Sequence, residues 1–201
     1  MKKYLVIGNP IEHSLSPQLH NYWIKRNKIE AVYDKKLLNE NDIENIISQV
    51  KNGVIEGINV TVPFKKSVIP FLNKLSTEAE KSQSVNTIYK EKDKVVGHNT
   101  DIAGFELAIR HFKYAVKDKK ILILGAGGVV SSIILALKKM GANKILLSNR
   151  TRKKAEDLKK IFSDLEIIDW GETSIFEMII NATSVGLNKE DEIKLDYSSG
   201  V

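Results

Sequence analysis

Apolar residues in the first hundred positions fall into short runs, each followed by a stretch of helical spacing. KYLVIG (3–8) is an apolar run closed by glycine and predicts a buried strand. PQLHNYWIKRN (17–27) predicts a helix with proline in its first turn. AVYDKKLL (31–38) predicts a weaker strand. Beyond Asn41, the residues Ile43, Ile46, Ile47 and Val50 recur on one face of a helix. IEGINVTV (55–62) predicts a third strand ending at Pro63, and a short helical region follows to about Ser82. VNTIYK and VVGHNT then flank polar turn residues and predict a hairpin.

From Asp101 the pattern changes. IAGFELAIRHF predicts a connecting helix, and KKILILGAGG (119–128) a buried strand running into glycines. A helix stopped by Gly141, the strand NKILLSNR, the helix TRKKAEDLKKIF, the short strand LEIID and the strand and exit loop EMIINATS complete the alternation. Strands separated by helices at this spacing imply parallel pairing with right-handed crossovers. The fold class is α/β, with two domains: 1–101, carrying a mixed, mostly parallel sheet, and 102–201, of Rossmann type.

Composition adds limits more than direction. The 201 residues are 42% hydrophobic and 28% charged, as in an ordinary soluble globular protein. No apolar run approaches the length of a membrane span, and the apolar stretch after Met1 ends at Gly8, too short for a secretory signal. Without cysteine there is no disulfide framework or thiolate metal site, and a cytoplasmic location is expected. The net charge of +6 comes from lysines scattered among acids, as in KEKDK (90–94), without interleaved aromatics. No nucleic-acid partner is expected, whereas a modest positive field suits small anionic ligands. His13, His20, His98 and His111 form no cluster with acids at ligand spacing, so no metal is expected.

The glycine turn brings in chemistry. Gly125, Ala126, Gly127 and Gly128 stand between a strand and a helix, where glycines let the backbone turn tightly and approach a pyrophosphate at the helix N-terminus. The third glycine of the G-x-G-x-x-G pattern is replaced by Val130, and Val129–Val130 is expected to crowd the helix start. At the exit of the next strand, SNRTRKK carries no acid to hold a ribose 2′-hydroxyl. Its cations suit a 2′-phosphate instead, and a cation such as Arg150 opposes the macrodipole at a helix start. The implied cofactor is NADP.

In the first domain, polar stretches stand at strand ends. Ser14 and Ser16 precede Pro17; NVTVPFKK gives Asn59, Thr61 and Lys65; SVNT gives Asn86 and Thr87; GHNTD gives Asn99, Thr100 and Asp101. Each has a bland reading: Ser16 or Asp101 as a helix cap, Lys65 as solvated surface, Asn86 and Asn99 as turn residues. If the strands are parallel neighbours, however, the stretches converge on one sheet edge. Hydroxyls and amides there suit a polyhydroxylated ligand, a small-molecule substrate.

Taken in order, GNPIEHSLSP, NVTVPFK, SVNTI, GHNTD, GAGG, SNRT and NATSVGL resemble the motif set of the shikimate dehydrogenase family, over residues 1 to about 187. The resemblance implies reversible reduction of 3-dehydroshikimate to shikimate by NADPH, in aromatic amino-acid biosynthesis, and two α/β domains with a cleft between them. It implies that Ser14 and Ser16 bind the substrate carboxylate, that Thr61, Asn86 and Asp101 hold ring hydroxyls, and that Asn59 lines the same pocket. Lys65 and Asp101 match the catalytic pair. Arg150, Thr151 and Lys154 match the 2′-phosphate pocket, with Asn149 near the ribose and Asn181 and Thr183 on a loop flanking the cofactor.

Family members continue beyond NATSVGL with further Rossmann strands and closing helices, whereas this sequence ends at LDYSSGV. The resemblance therefore implies a cofactor domain incomplete at its C-terminus. It keeps two alternatives open: an impaired relative that binds shikimate or NADP without turnover, and a quinate/shikimate dehydrogenase using NAD. A monomer or homodimer is expected.

Overall fold

A computed structural model describes residues 1–172, 174–186 and 191–194. Leu187 of NATSVGL and the terminal LDYSSGV lie outside the described residues. The chain divides into two units, Met1–Thr100 and Asp101–Val201.

The first unit is built on β1 (Lys2–Gly8), which pairs in parallel with β2 (Ala31–Leu37) and β3 (Gly57–Val60). Side chains alternate across a strand, so β1 serves two layers. Leu5 and Ile7 join the cluster containing Ile43, Ile46, Ile47 and Val50 of α2 (Ile43–Lys51). Val6 packs instead with Ile11 and Tyr33, against which Tyr4 and Ile24 also lie. Ile24 belongs to α1 (Ser16–Arg26), which Asn21 fastens to β2: its amide donates to the Tyr33 carbonyl at 2.7 Å and accepts from the Tyr33 N–H at 3.0 Å. Burial of each α2 isoleucine contributes about 1.5–3 kcal/mol.

The predicted hairpin is β5 (Thr87–Glu91) and β6 (Lys94–His98), antiparallel to each other. The expected helical region to Ser82 is broken up. Turns follow Pro63, a single 3₁₀ turn covers Ile69–Phe71, β4 (Lys74–Leu75) pairs with β6, and only α3 (Thr77–Ser82) is α-helical. The sheet order is β2-β1-β3-β5-β6-β4.

The second unit opens with α4 (Asp101–His111). Its sheet contains β7 (Lys120–Leu124), β8 (Lys144–Ser148), β9 (Glu166–Ile168) and β10 (Met178–Asn181), all parallel, in the order β10-β7-β8-β9. β7 is covered on both faces, as a parallel strand should be. Ile121 and Ile123 face the cluster of α5 (Val130–Lys139) and α6 (Arg152–Ile161), and Leu122 and Leu124 meet Phe176 on the other side. Val130, at the start of α5, is 0% exposed and belongs to the core over β7.

Candidate functional site

In the first unit the polar stretches share one edge of the sheet, though not through parallel strands. β5 runs antiparallel to β3, with Asn59 opposite Thr87, and His98 at the end of β6 lies opposite Thr87 as well. The exits of β1, β3 and β6 and the entrance to β5 therefore lie at the same edge. Asn86 stands where a strand begins rather than where one ends.

Hydrogen bonds knit these residues together. The Thr100 N–H donates to Asn86 Oδ1 at 2.9 Å, and Asn86 Nδ2 donates to Thr100 Oγ1 at 2.8 Å. Thr87 Oγ1 donates to Asn86 Oδ1 at 3.1 Å. Asn59 Nδ2 donates to Thr87 Oγ1 at 3.2 Å and to the Asn86 carbonyl at 3.3 Å. The Tyr33 hydroxyl, on a side chain 4% exposed, donates to Asn59 Oδ1 at 2.7 Å. Ser16 is the first residue of α1 and not its cap; Leu15 holds that place, with no side-chain cap bond. Ser14 Oγ accepts from the Ser16 N–H at 3.4 Å.

Thr61 follows β3, its N–H bonded to the Ile7 carbonyl at 2.9 Å. Lys65 is half-buried beside an exposed Lys66, and its carbonyl accepts from the Val85 N–H at 2.8 Å, next to Asn86. Asp101 follows Thr100 directly and is the first helical residue of α4. Asn99 is different. At 1% exposure it donates to the Ser84 carbonyl at 2.9 Å and to Ser82 Oγ at 3.2 Å, clamping the end of α3.

Tyr33 belongs to this network, although the local pattern did not reveal it. The available signal is a tyrosine at a buried strand position, whose hydroxyl needs a partner.

In the second unit the predicted cofactor residues stand at the carboxyl ends of three adjacent strands. Gly125–Gly128 follow β7, Asn149–Lys154 follow β8, and Asn181 and Thr183 end β10, where Asn181 lies opposite Leu124. Gly125 has φ +106°, and a Cβ there would sit 2.7 Å from the Ala182 carbonyl oxygen. Gly127 has no such internal reason, since a Cβ would meet nothing within 4 Å. Open space over a glycine at a helix start fits a pyrophosphate. Ala126 packs on the core, and Gly128 completes the turn before Val129 caps α5. Ser131 Oγ, in the first turn of α5, is buried without a partner among the described residues.

Asn149 Nδ2 donates to the Thr151 carbonyl at 2.7 Å, and Thr151 is the extended residue before α6. Arg152 is engaged by Asp169 and, at 3.2 Å, by Glu156. Arg150 and Lys154 are exposed and carry no ion pair among the described residues. Asn181 Oδ1 accepts from the Thr183 N–H at 3.0 Å and from its hydroxyl at 2.7 Å, which folds the loop beside Gly125. These cations and this turn suit a dinucleotide bearing a 2′-phosphate.

Read from β9, the strand order is 3-2-1-4, with the glycine turn at the strand where the order reverses. That fold, with polar and cationic groups at its strand ends, defines a dinucleotide-dependent α/β oxidoreductase. Family models narrow the class. The shikimate dehydrogenase substrate binding domain matches residues 6–88, and shikimate / quinate 5-dehydrogenase matches residues 106–185. The chain belongs to the shikimate dehydrogenase family.

It is 62% identical to the shikimate dehydrogenase (NADP(+)) of Pelagibacter ubique, covering 98% of this chain and 74% of that one. The crystal structure of shikimate dehydrogenase from Aquifex aeolicus is similar with a TM-score of 0.90 at 40% identity, covering 100% of this chain and 75% of that one. A Thermus thermophilus shikimate 5-dehydrogenase, solved in complex with NADP(H) and shikimate, gives 0.87 at 28% identity over 100% and 75%.

Proposed function

We propose that the protein catalyses the reversible NADPH-dependent reduction of 3-dehydroshikimate to shikimate in aromatic amino-acid biosynthesis. The observation that carries this reading is the joining of Asn59, Asn86, Thr87 and Thr100 in one hydrogen-bonded edge, with Ser14, Ser16, Thr61 and Lys65 beside it. Such an edge matches a ligand with a carboxylate and several ring hydroxyls. Ser14 and Ser16 bind the carboxylate; Thr61, Asn86 and Asp101 hold ring hydroxyls, and Asn59 lines the pocket.

Bound NADPH supplies a hydride to the ketone carbon. The protein's own part is to place the substrate and to furnish the proton that the resulting alkoxide requires. Lys65 donates that proton and, in the reverse direction, accepts it from the alcohol. Asp101 orients the ammonium and holds a neighbouring hydroxyl. The backbone of Gly125, Ala126, Gly127 and Gly128 and the start of α5 hold the pyrophosphate. Arg150, Thr151 and Lys154 hold the 2′-phosphate, Asn149 the ribose, and Asn181 and Thr183 flank the cofactor. A cytoplasmic monomer or homodimer fits this role, and among the described residues no helix is long and apolar enough to cross a membrane.

The test is product analysis after incubation with 3-dehydroshikimate and NADPH. Shikimate formed in step with NADPH oxidation is expected; NADPH left unconsumed over a long incubation contradicts the reading.

A further inference from the structure

The hydrogen bonds at the sheet edge have only one self-consistent polarity. The Thr100 N–H can only donate, so the Asn86 atom it meets at 2.9 Å is the amide oxygen. Thr87 Oγ1 faces that oxygen at 3.1 Å and must give its proton to it. With that proton used, Thr87 Oγ1 can only accept from Asn59, and the adjacent Asn86 carbonyl can only accept too. Both bonds, at 3.2 and 3.3 Å, therefore come from Asn59 Nδ2. Asn59 Oδ1 is left pointing at Tyr33 at 2.7 Å, and the tyrosine must donate. Its oxygen then has only lone pairs left to offer.

We propose that Tyr33 is a positioning residue for the substrate pocket: its hydroxyl fixes the orientation of the Asn59 amide. It acts through Asn59 and does not need to touch substrate. Burial holds the phenol well above its ordinary pKa, so it remains a donor at any working pH. The ring is itself held. It stacks on His20 with centroids 4.1 Å apart and planes 6° from parallel, and the Tyr33 backbone is tied to Asn21 of α1. Tyr33 thus couples α1, through Asn21, to β3 and β5, across a strand that carries no predicted site residue.

The pocket role of Asn59 rests on the function proposed above, so the test separates the two. In Tyr33→Phe the ring and its stack persist while the donor is lost. Titration of the protein and of Tyr33→Phe with shikimate, and separately with NADP, is combined with ¹⁵N spectra of the side-chain amides. The expected result is an Asn59 amide pair displaced by the substitution, shikimate affinity weakened about three- to tenfold, and NADP affinity unchanged. In an Asn59→Ala background, Tyr33→Phe should weaken shikimate binding far less, because the two residues act as a unit. An Asn59 amide unmoved by Tyr33→Phe, or full additivity of the two substitutions, overturns the proposal. Failure of the unsubstituted protein to bind shikimate overturns the functional reading instead, and the amide spectra then decide alone whether Tyr33 orients Asn59.

Discussion

Lys65 lies in the turn that follows Pro63, half-buried, with its carbonyl tied to the segment leading into Asn86. A lysine is a flexible, compact proton donor, which suits the role proposed for Lys65, and its neighbour Lys66 is the more exposed of the two. Lys65→Ala is expected to lower turnover by about 10²–10⁴-fold while NADP affinity barely changes; initial rates and a cofactor titration check both halves. Arg150 carries the matching prediction on the cofactor side. Its neighbour Arg152 is already occupied by Asp169 and Glu156, whereas Arg150 and Lys154 carry no ion pair among the described residues. Arg150→Ala should weaken NADP binding about tenfold and leave NAD binding alone, measured by fluorescence titration. Asn99 shows why a motif cannot be carried over as a block. It sits between Gly97–His98 and Thr100 in the same motif, yet its side chain is spent on Ser82 and Ser84, and Asn99→Ala should cost about 1–3 kcal/mol of stability.

The glycine turn separates structural from ligand-facing demands within one short element. At Gly125 the positive φ and the Ala182 carbonyl leave no room for a side chain, so Gly125→Ala should destabilise the protein by more than about 1 kcal/mol. At Gly127 the space is open, and Gly127→Ala should keep the unfolding temperature while weakening NADP binding. Calorimetry with a cofactor titration on both variants distinguishes them. The second sheet was legible because its signals are local: KILIL is apolar on both faces, glycines follow it, and helices intervene at crossover length. The first unit was legible in part. The hairpin showed itself through its polar turn, but the pairing of β5 with β3 is a tertiary choice with no local trace. β4, two residues long, offers no alternation to read, and the stretch after Pro63 lost its expected helix to turns around the buried Phe64. The place of Tyr33 has no local trace because its partners, Asn21 and Asn59, become neighbours only once α1, β2 and β3 have packed together.

Across the molecule, each unit has its own core and its own set of polar residues at strand ends. The second unit also leans on charge. Glu177 enters β10 with its carboxylate accepting from the Lys120 N–H at 2.9 Å and from Lys119 at 3.0 Å, and these contacts hold it below the usual carboxylate range. Glu106, Asp164 and Glu166 are lowered likewise by lysine partners, Glu106 also by Arg110. A group with a depressed folded-state pKa stabilises above its unfolded value, and that contribution is lost as pH falls through the folded value. The unfolding temperature of Glu177→Gln should therefore lie below that of the unsubstituted protein at neutral pH, with the gap closing on acidification; melting curves across that pH range check it. The substrate and cofactor assignments meet in the steady-state oxidation of shikimate, followed as NADPH or NADH absorbance with NADP and NAD in parallel. Turnover with NADP and a far lower kcat/KM with NAD is the expected result. Equal efficiency with NAD would contradict the roles given to Arg150 and Lys154, and no turnover with either cofactor would contradict the proposed reaction itself.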